Sequence, residues 1–457
     1  MEEALIKSKS SSIHRSLTNS SERKGAYRFL SNEKVSEELL MEDLFKTCEE
    51  SVKDKKVIAL CDTSTFNFTS HKGRITDFTG LGSLGRVNGT HPLGFLMHPI
   101  LVHERHSGIP LGISALKLWD RPNQAKRDRS KRYKTKDLFI EEKESFKWLG
   151  PCQSSRDNSL KEAKHITFVM DREGDIMEVF DRLPNEKTDV LVRAKHNRNV
   201  LTQSGENEKL IEYLNRQEVC FTDQIKLKSR KRKKRIAEVE VKIAKCTLCW
   251  HKRQKVSWKN NPDGVQVNII EVKERTHKGH SSEAPLIWRL ITTSEIENVE
   301  QVKEQIRIYE QRWRIEEFFK LLKSDGFDIE STELESGKSI RKLIIIIMKV
   351  SIKIQQLKAA REGTTDLKVS DVFNEEEIEC LNQVNNELGG TTVKQQNPHD
   401  KTNLAWATWI IARLGGWKEF YNKSRPPGHK TLIWGLDKFE GIMIGYNIFR
   451  KKDVYQR

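Results

Sequence analysis

Tyr309-Glu310-Gln311-Arg312-Trp313-Arg314-Ile315-Glu316-Glu317-Phe318-Phe319-Lys320-Leu321-Leu322-Lys323 is the stretch on which the reading of this chain turns. Within it, Tyr309, Arg312, Glu316 and Lys323 are separated by three, four and seven residues. At ~100° per residue, those spacings fall within roughly 60° of one helical face. Ile308, Ile315, Phe319 and Leu322 form an adjoining apolar stripe, so the expected helix is pinned to a core beside its polar face. A carboxylate flanked by Arg, Lys and a tyrosine hydroxyl suits a site that holds a metal ion and a phosphate together. Glu316 alone would also read as a surface partner of Arg312 or Lys320 four residues away. That reading does not explain why the polar residues border the core stripe.

Two segments far upstream supply what such a site would need. Val57-Ile58-Ala59-Leu60-Cys61 and Ile166-Thr167-Phe168-Val169-Met170 are runs of buried-strand length, and each ends in an aspartate, Asp62 or Asp171. An Asp at a strand end is by itself usually a turn or cap residue. If the two strands are neighbours, both carboxylates emerge at one edge and Glu316 can join them. Clustered carboxylates are unfavourable until cations neutralise them, and hard oxygen ligands select Mg²⁺ or Mn²⁺. Asp62, Asp171 and Glu316 are therefore the candidate catalytic and metal-ligating residues. The chemistry they fit is phosphoryl transfer with two ions ~4 Å apart.

The rest of the chain reads as a mixed sheet with flanking helices. Further strands are expected over Phe95–Val102, Leu111–Trp119, Val190–Val192, Ile236–Ile243, Val265–Val272 and Leu286–Thr292. Helices are expected over Glu37–Val52, Glu141–Leu149, Lys338–Arg361 and Leu404–Leu414, the last closed by Gly415-Gly416. Residues 1–24 are polar and expected to be disordered or only partly folded. Gly80-Leu81-Gly82-Ser83-Leu84-Gly85 matches a dinucleotide fingerprint in letters. A strand-like segment follows it in place of a helix, so it reads as a connection between strands. Cys246-Thr247-Leu248-Cys249 lacks a second ligand pair and does not read as a zinc site.

The 457 residues carry a net charge of +16, which points to a polyanionic partner. Eight of the ten residues from Lys226 to Arg235 are basic, and Lys126–Lys136 is similarly dense. Arg193, Lys195 and Arg198 are expected on one face of a strand, either touching phosphate or simply exposed. No membrane span is expected. Leu343–Met348, the strongest apolar run, is far shorter than the ~20 residues needed. No secretory signal is evident, so the seven cysteines read as reduced thiols.

Taken in order, these segments resemble the DDE cut-and-paste transposases of bacterial insertion sequences, in the group defined by a YREK signature. The resemblance rests on Asp62-Thr63-Ser64, Asp171-Arg172-Glu173-Gly174-Asp175 and Tyr309, Arg312, Glu316 and Lys323. It extends through Gly25–Phe29, Lys143–Ser145 with Lys147–Leu149, Val192–His196, Leu286–Trp288, Leu414–Gly416 and Trp434-Gly435. It implies an α/β fold with a ribonuclease H-like catalytic core interrupted by a β-rich insertion and followed by a helical C-terminal region. The implied division is an N-terminal remnant of a DNA-binding domain over 1–50, a core over 51–190 and 291–345, an insertion over 191–290 and a dimerisation region over 346–457.

The resemblance implies further that Asp62, Asp171 and Glu316 are the catalytic triad, with Mg²⁺ as cofactor and Mn²⁺ able to substitute. Tyr309, Arg312 and Lys323 would grip transposon-end phosphates, and Arg193 and Lys195 would also bind DNA. Trp288 would stack on a base flipped from the duplex while a hairpin end forms. The implied partners are double-stranded DNA, both transposon ends and target, and a second copy of the chain in a synaptic complex. The implied location is cytoplasmic, at the nucleoid when DNA-bound. Members usually begin with a helical DNA-reading domain, and only about two dozen polar residues precede Gly25 here. An alternative expectation is therefore a truncated regulatory or inhibitory derivative that binds DNA or a full-length partner.

Overall fold

The computed structural model describes residues 20–85, 89–121, 138–227, 235–251, 254–256, 258–275, 284–363, 365–392, 395–418 and 426–454. The basic runs at 126–136 and, in its greater part, 226–235 lie outside these residues, as does the N-terminal tract 1–19. The strands in chain order are β1 (Lys56–Cys61), β2 (Ser64–Asn67), β3 (Gly82–Ser83), β4 (Leu93–Glu104), β5 (Pro110–Trp119), β6 (His165–Met170) and β7 (Thr188–Arg193). They continue as β8 (Asn199–Thr202), β9 (Asn207–Lys209), β10 (Phe221–Leu227), β11 (Arg235–Leu248), β12 (Val265–Glu274) and β13 (Ile287–Thr292). The fold is mixed α/β and separates into two compact units. One comprises residues 1–51, 63–127 and 314–457, and the other comprises 52–62 and 128–313.

The second unit is built on a large mixed sheet. β1, β6 and β7 run parallel in that spatial order, and β13, β12, β11, β8 and β9 follow as antiparallel neighbours. β10 pairs with β11. β1 and β6 are buried along nearly their whole length, as their unbroken apolar sequences require. β11 instead tends to alternate buried and accessible residues, as a strand with one wetter face does.

In the other unit β2, β3 and β5 each pair antiparallel with β4. The glycine-rich segment expected to be only a connection between strands contains a short strand of its own, with Gly82 opposite Gly94 and Ser83 opposite Leu93. The helices Glu37–Ser51 and Gly337–Ala360 pack on β5. In the longer helix every residue from Leu343 to Met348 is buried, which makes the apolar run a core segment. Lys342 donates to the carbonyls of Leu30 (3.0 Å) and Asn32 (2.9 Å), satisfying the C-terminal end of the helix Ser20–Ser31. No helix among the described residues is long and apolar enough to cross a membrane.

Four other local expectations are corrected. Residues 20–24 are helical, forming the first turns of Ser20–Ser31. The helix expected over Glu141–Leu149 is a pair of 3-10 turns, Ile140–Glu142 and Glu144–Trp148. The regular helix begins only at Gly150, where Pro151 sits in the first turn. The single helix expected across Tyr309–Lys323 is two helices, Val299–Glu310 and Trp313–Lys323. At their junction Gln311 N–H is shared between the Ile308 and Tyr309 carbonyls, and Arg312 N–H bonds Tyr309 O at 3.0 Å. That 3-10-type tightening interrupts the uniform helical phase. β7 ends at Arg193, so Lys195 and Arg198 lie in the following loop and share no strand face with it.

Candidate active site

In the second unit, the parallel register of β1 on β6 pairs Cys61 with Met170. The next residues, Asp62 and Asp171, therefore leave the sheet side by side at its carboxyl edge. β7 continues the pattern: Val192 lies opposite Met170, and Arg193 follows at the same edge. Open α/β sheets bind ligands at this edge. Asp171 also caps the 3-10 turn Arg172–Gly174, accepting from Glu173 N–H at 2.8 Å. Its capping role and its place at the edge are compatible, because a carboxylate has further acceptor sites.

Arg312 closes on Asp62, with Nη1 3.3 Å from Oδ2. Arg193 donates to the Ile287 carbonyl at 2.9 Å and interacts electrostatically with Tyr309. Burial pushes the Tyr309 hydroxyl above the usual phenol range; Arg312 and Arg193 pull it back, while the Asp171 charge pushes the same way as burial. Tyr309 thus stays protonated at neutral pH and serves as a hydrogen-bonding group. Trp288 meets its ring edge-on, with centroids 5.3 Å apart and planes at 69°. A cleft of about 470 Å³ lies here, lined among others by Arg193, Lys226, Trp288, Tyr309, Arg312 and Trp313. Three aromatic residues among three cations suit an unstacked base with its phosphate. Lys226 is the first residue of the basic run that the sequence shows, whereas Trp313 carries no signal of its own there. Trp313 was legible only as a neighbour of Arg312.

Lys195 is exposed, and its backbone N–H is held by Asp175 Oδ2 at 2.8 Å. Asp175 also accepts from His196 N–H at 3.2 Å and pairs with Arg198. This buried aspartate ties the segment after β7 to the turn after β6. Arg198 is accordingly engaged within the protein, with its guanidinium also 5.7 Å from the Phe180 ring. Lys147, largely buried, lies 3.4 Å from Glu173 beside the same turn.

Glu316 and Lys323 belong to the other unit, on Trp313–Lys323. Ile315, Phe319 and Leu322 are buried as the sequence pattern requires, and Glu316 is half-buried in the first turn. Lys323 donates to the Thr65 carbonyl on β2, lies 3.7 Å from Glu330, and stands 4.7 Å from the Phe66 ring centre. Burial lowers its pKa and Glu330 opposes the shift.

Among the described residues no group of three or more His, Cys, Asp or Glu side chains stands together as a metal cage, Cys246 and Cys249 included. The donors present at the carboxyl edge are nevertheless of the right kind. Two aspartates on adjacent strand ends are hard oxygen ligands, and a cationic group already neutralises one of them.

The fold is mixed α/β, with paired acidic strand ends and a cationic, aromatic cleft whose donors suit a phosphate-bearing ligand. Residues 153–352 match the family model described as a transposase DDE domain. The match supports a DDE-type transposase, an enzyme of DNA cleavage and recombination. It spans Asp171, Arg193, Lys195, Trp288, Tyr309, Arg312, Glu316 and Lys323, and Asp62 precedes it.

Proposed function

We propose that the protein is a cut-and-paste DNA transposase of the YREK group, acting at insertion-sequence ends by nicking, hairpin formation, hairpin opening and strand transfer. The observation that carries this reading is the Cys61–Met170 register, which sets Asp62 beside Asp171 in a chain whose residues 153–352 match a transposase domain. Asp62 and Asp171, with Glu316, would hold Mg²⁺ or Mn²⁺. The cation, when bound, supplies activation of a water or 3′ hydroxyl and stabilisation of the leaving oxygen. Arg312, Arg193 and protonated Tyr309 grip phosphate oxygens through charged and neutral hydrogen bonds. Trp288 presents its ring to an extruded base, and Lys195 and Lys323 add backbone contacts.

In this reading residues 51–190 and 291–345 form a ribonuclease H-like core, 191–290 an insertion carrying the stacking platform, and 346–457 the dimerisation region. Two copies synapse two DNA ends, in the cytoplasm and at the nucleoid. The test is nicking of a labelled transposon-end duplex by Asp62→Asn, Asp171→Asn and Glu316→Gln. These changes remove charge and little volume, so melting should be preserved while cleavage falls at least about 10³-fold. Full cleavage by any of the three, or by wild type in excess chelator, would defeat the assignment.

A further inference from the structure

Arg312 is placed to serve two anions. Its guanidinium lies 3.3 Å from Asp62, and the same side chain lines the cleft that holds Arg193, Lys226, Trp288 and Tyr309. Both Asp62 and Arg312 are mostly shielded from water, with side-chain exposures of 19% and 15%. An ion pair so shielded is screened less than a surface pair. We infer that Arg312 is a partner-exchanging counter-ion, which occupies Asp62 in the DNA-free protein and is drawn to a DNA phosphate in the cleft, so that DNA binding opens Asp62 to the divalent cation. This rests on the proposed assignment of Asp62 as a cation ligand.

The physical argument is one of competition. While the guanidinium sits on Asp62, an arriving cation must displace it or accept a neighbouring positive charge. A phosphate in the cleft offers the same N–H donors a second acceptor of the geometry guanidinium prefers. Moving Arg312 to that phosphate removes the competitor at Asp62. The effect is reciprocal by linkage: a cation on Asp62 releases Arg312 for phosphate and tightens DNA binding by the same factor. The arrangement favours loading the cation where DNA is already seated.

Mn²⁺ binding to the intact chain, followed by the electron paramagnetic resonance of free Mn²⁺, reads this without turnover. Arg312→Gln should bind Mn²⁺ about tenfold more tightly than wild type in the absence of DNA, within the usual range of site-to-site coupling. Arg312→Met should do the same, and thermal melting of both variants confirms folding. In an Asp62→Asn background, Arg312→Gln should give no gain. Adding duplex, with Mn²⁺ bound by duplex alone subtracted, should tighten binding to wild type and leave Arg312→Gln unchanged. Equal Mn²⁺ affinity in wild type and both Arg312 variants, with cleavage still dependent on Asp62, would overturn the exchange while leaving the catalytic assignment intact. Absence of Mn²⁺ binding in every folded variant would overturn both.

Discussion

At the scale of single residues, the motif Asp171–Asp175 contains two aspartates with different work. Asp171 stands at the sheet edge, whereas Asp175 is buried and accepts from two backbone N–H groups and Arg198. Removing one partner of a buried ion pair strands the other, so Asp175→Ala should destabilise the fold by about 3–5 kcal/mol. Chemical denaturation measures this; an unchanged midpoint would show the pair to be dispensable. Trp288 makes a different demand, since its edge-on contact with Tyr309 leaves an aromatic ring in the cleft. Base stacking on an aromatic is worth ~1–3 kcal/mol. Trp288→Ala should therefore reduce hairpin formation by about tenfold while the first nick stays within about twofold. A denaturing gel resolves the two products. Equal loss at both steps would mark Trp288 as a folding residue.

Among elements, the helices Leu404–Leu414 and His429–Val454 pack against each other through glycine. A Cβ at Gly435 would fall on the Ile411 carbonyl oxygen, while one at Gly441 would meet nothing within 4 Å. Gly435→Ala should destabilise by about 1–3 kcal/mol through overpacking. Gly441→Ala, in the same helix, should stabilise by roughly 0.5–1 kcal/mol, because alanine loses less backbone entropy. Thermal melting of the two variants should move in opposite directions, and a parallel shift would refute the crossing. The break between Val299–Glu310 and Trp313–Lys323 acts at this same scale. It frees Arg312 from the regular helical phase that the spacing of Tyr309, Arg312 and Glu316 implies.

For the whole molecule, the charge of +16 predicts DNA binding that weakens steeply with salt. Within that field, Arg312→Ala should lower the slope of log affinity against log salt by about one unit, as loss of one phosphate contact requires. Lys323→Ala should in addition lower the melting temperature, because its amine is bonded to Thr65 O and stands over Phe66. Titrating duplex at four salt concentrations tests both. A slope unchanged by Arg312→Ala would return that residue to a purely internal role.

The strands that position the edge were legible in sequence because buried parallel strands must be continuously apolar: Val57–Cys61 and Ile166–Met170 read as strands, and each leads into an aspartate. The stripe Ile308, Ile315, Phe319 and Leu322 was legible for the same reason, as burial imposes a period. Short elements such as Met177–Arg182, and the long helix His429–Val454, gave too little periodicity to be read. Partner choice is not a periodic property. That Cys61 pairs with Met170, that Arg312 turns to Asp62, and that Asp175 rather than phosphate takes Arg198 depend on which distant segments meet. Local sequence therefore determined the elements and the residue types at their ends. Only tertiary packing, which decides which buried charges find counter-charges, determined their partners.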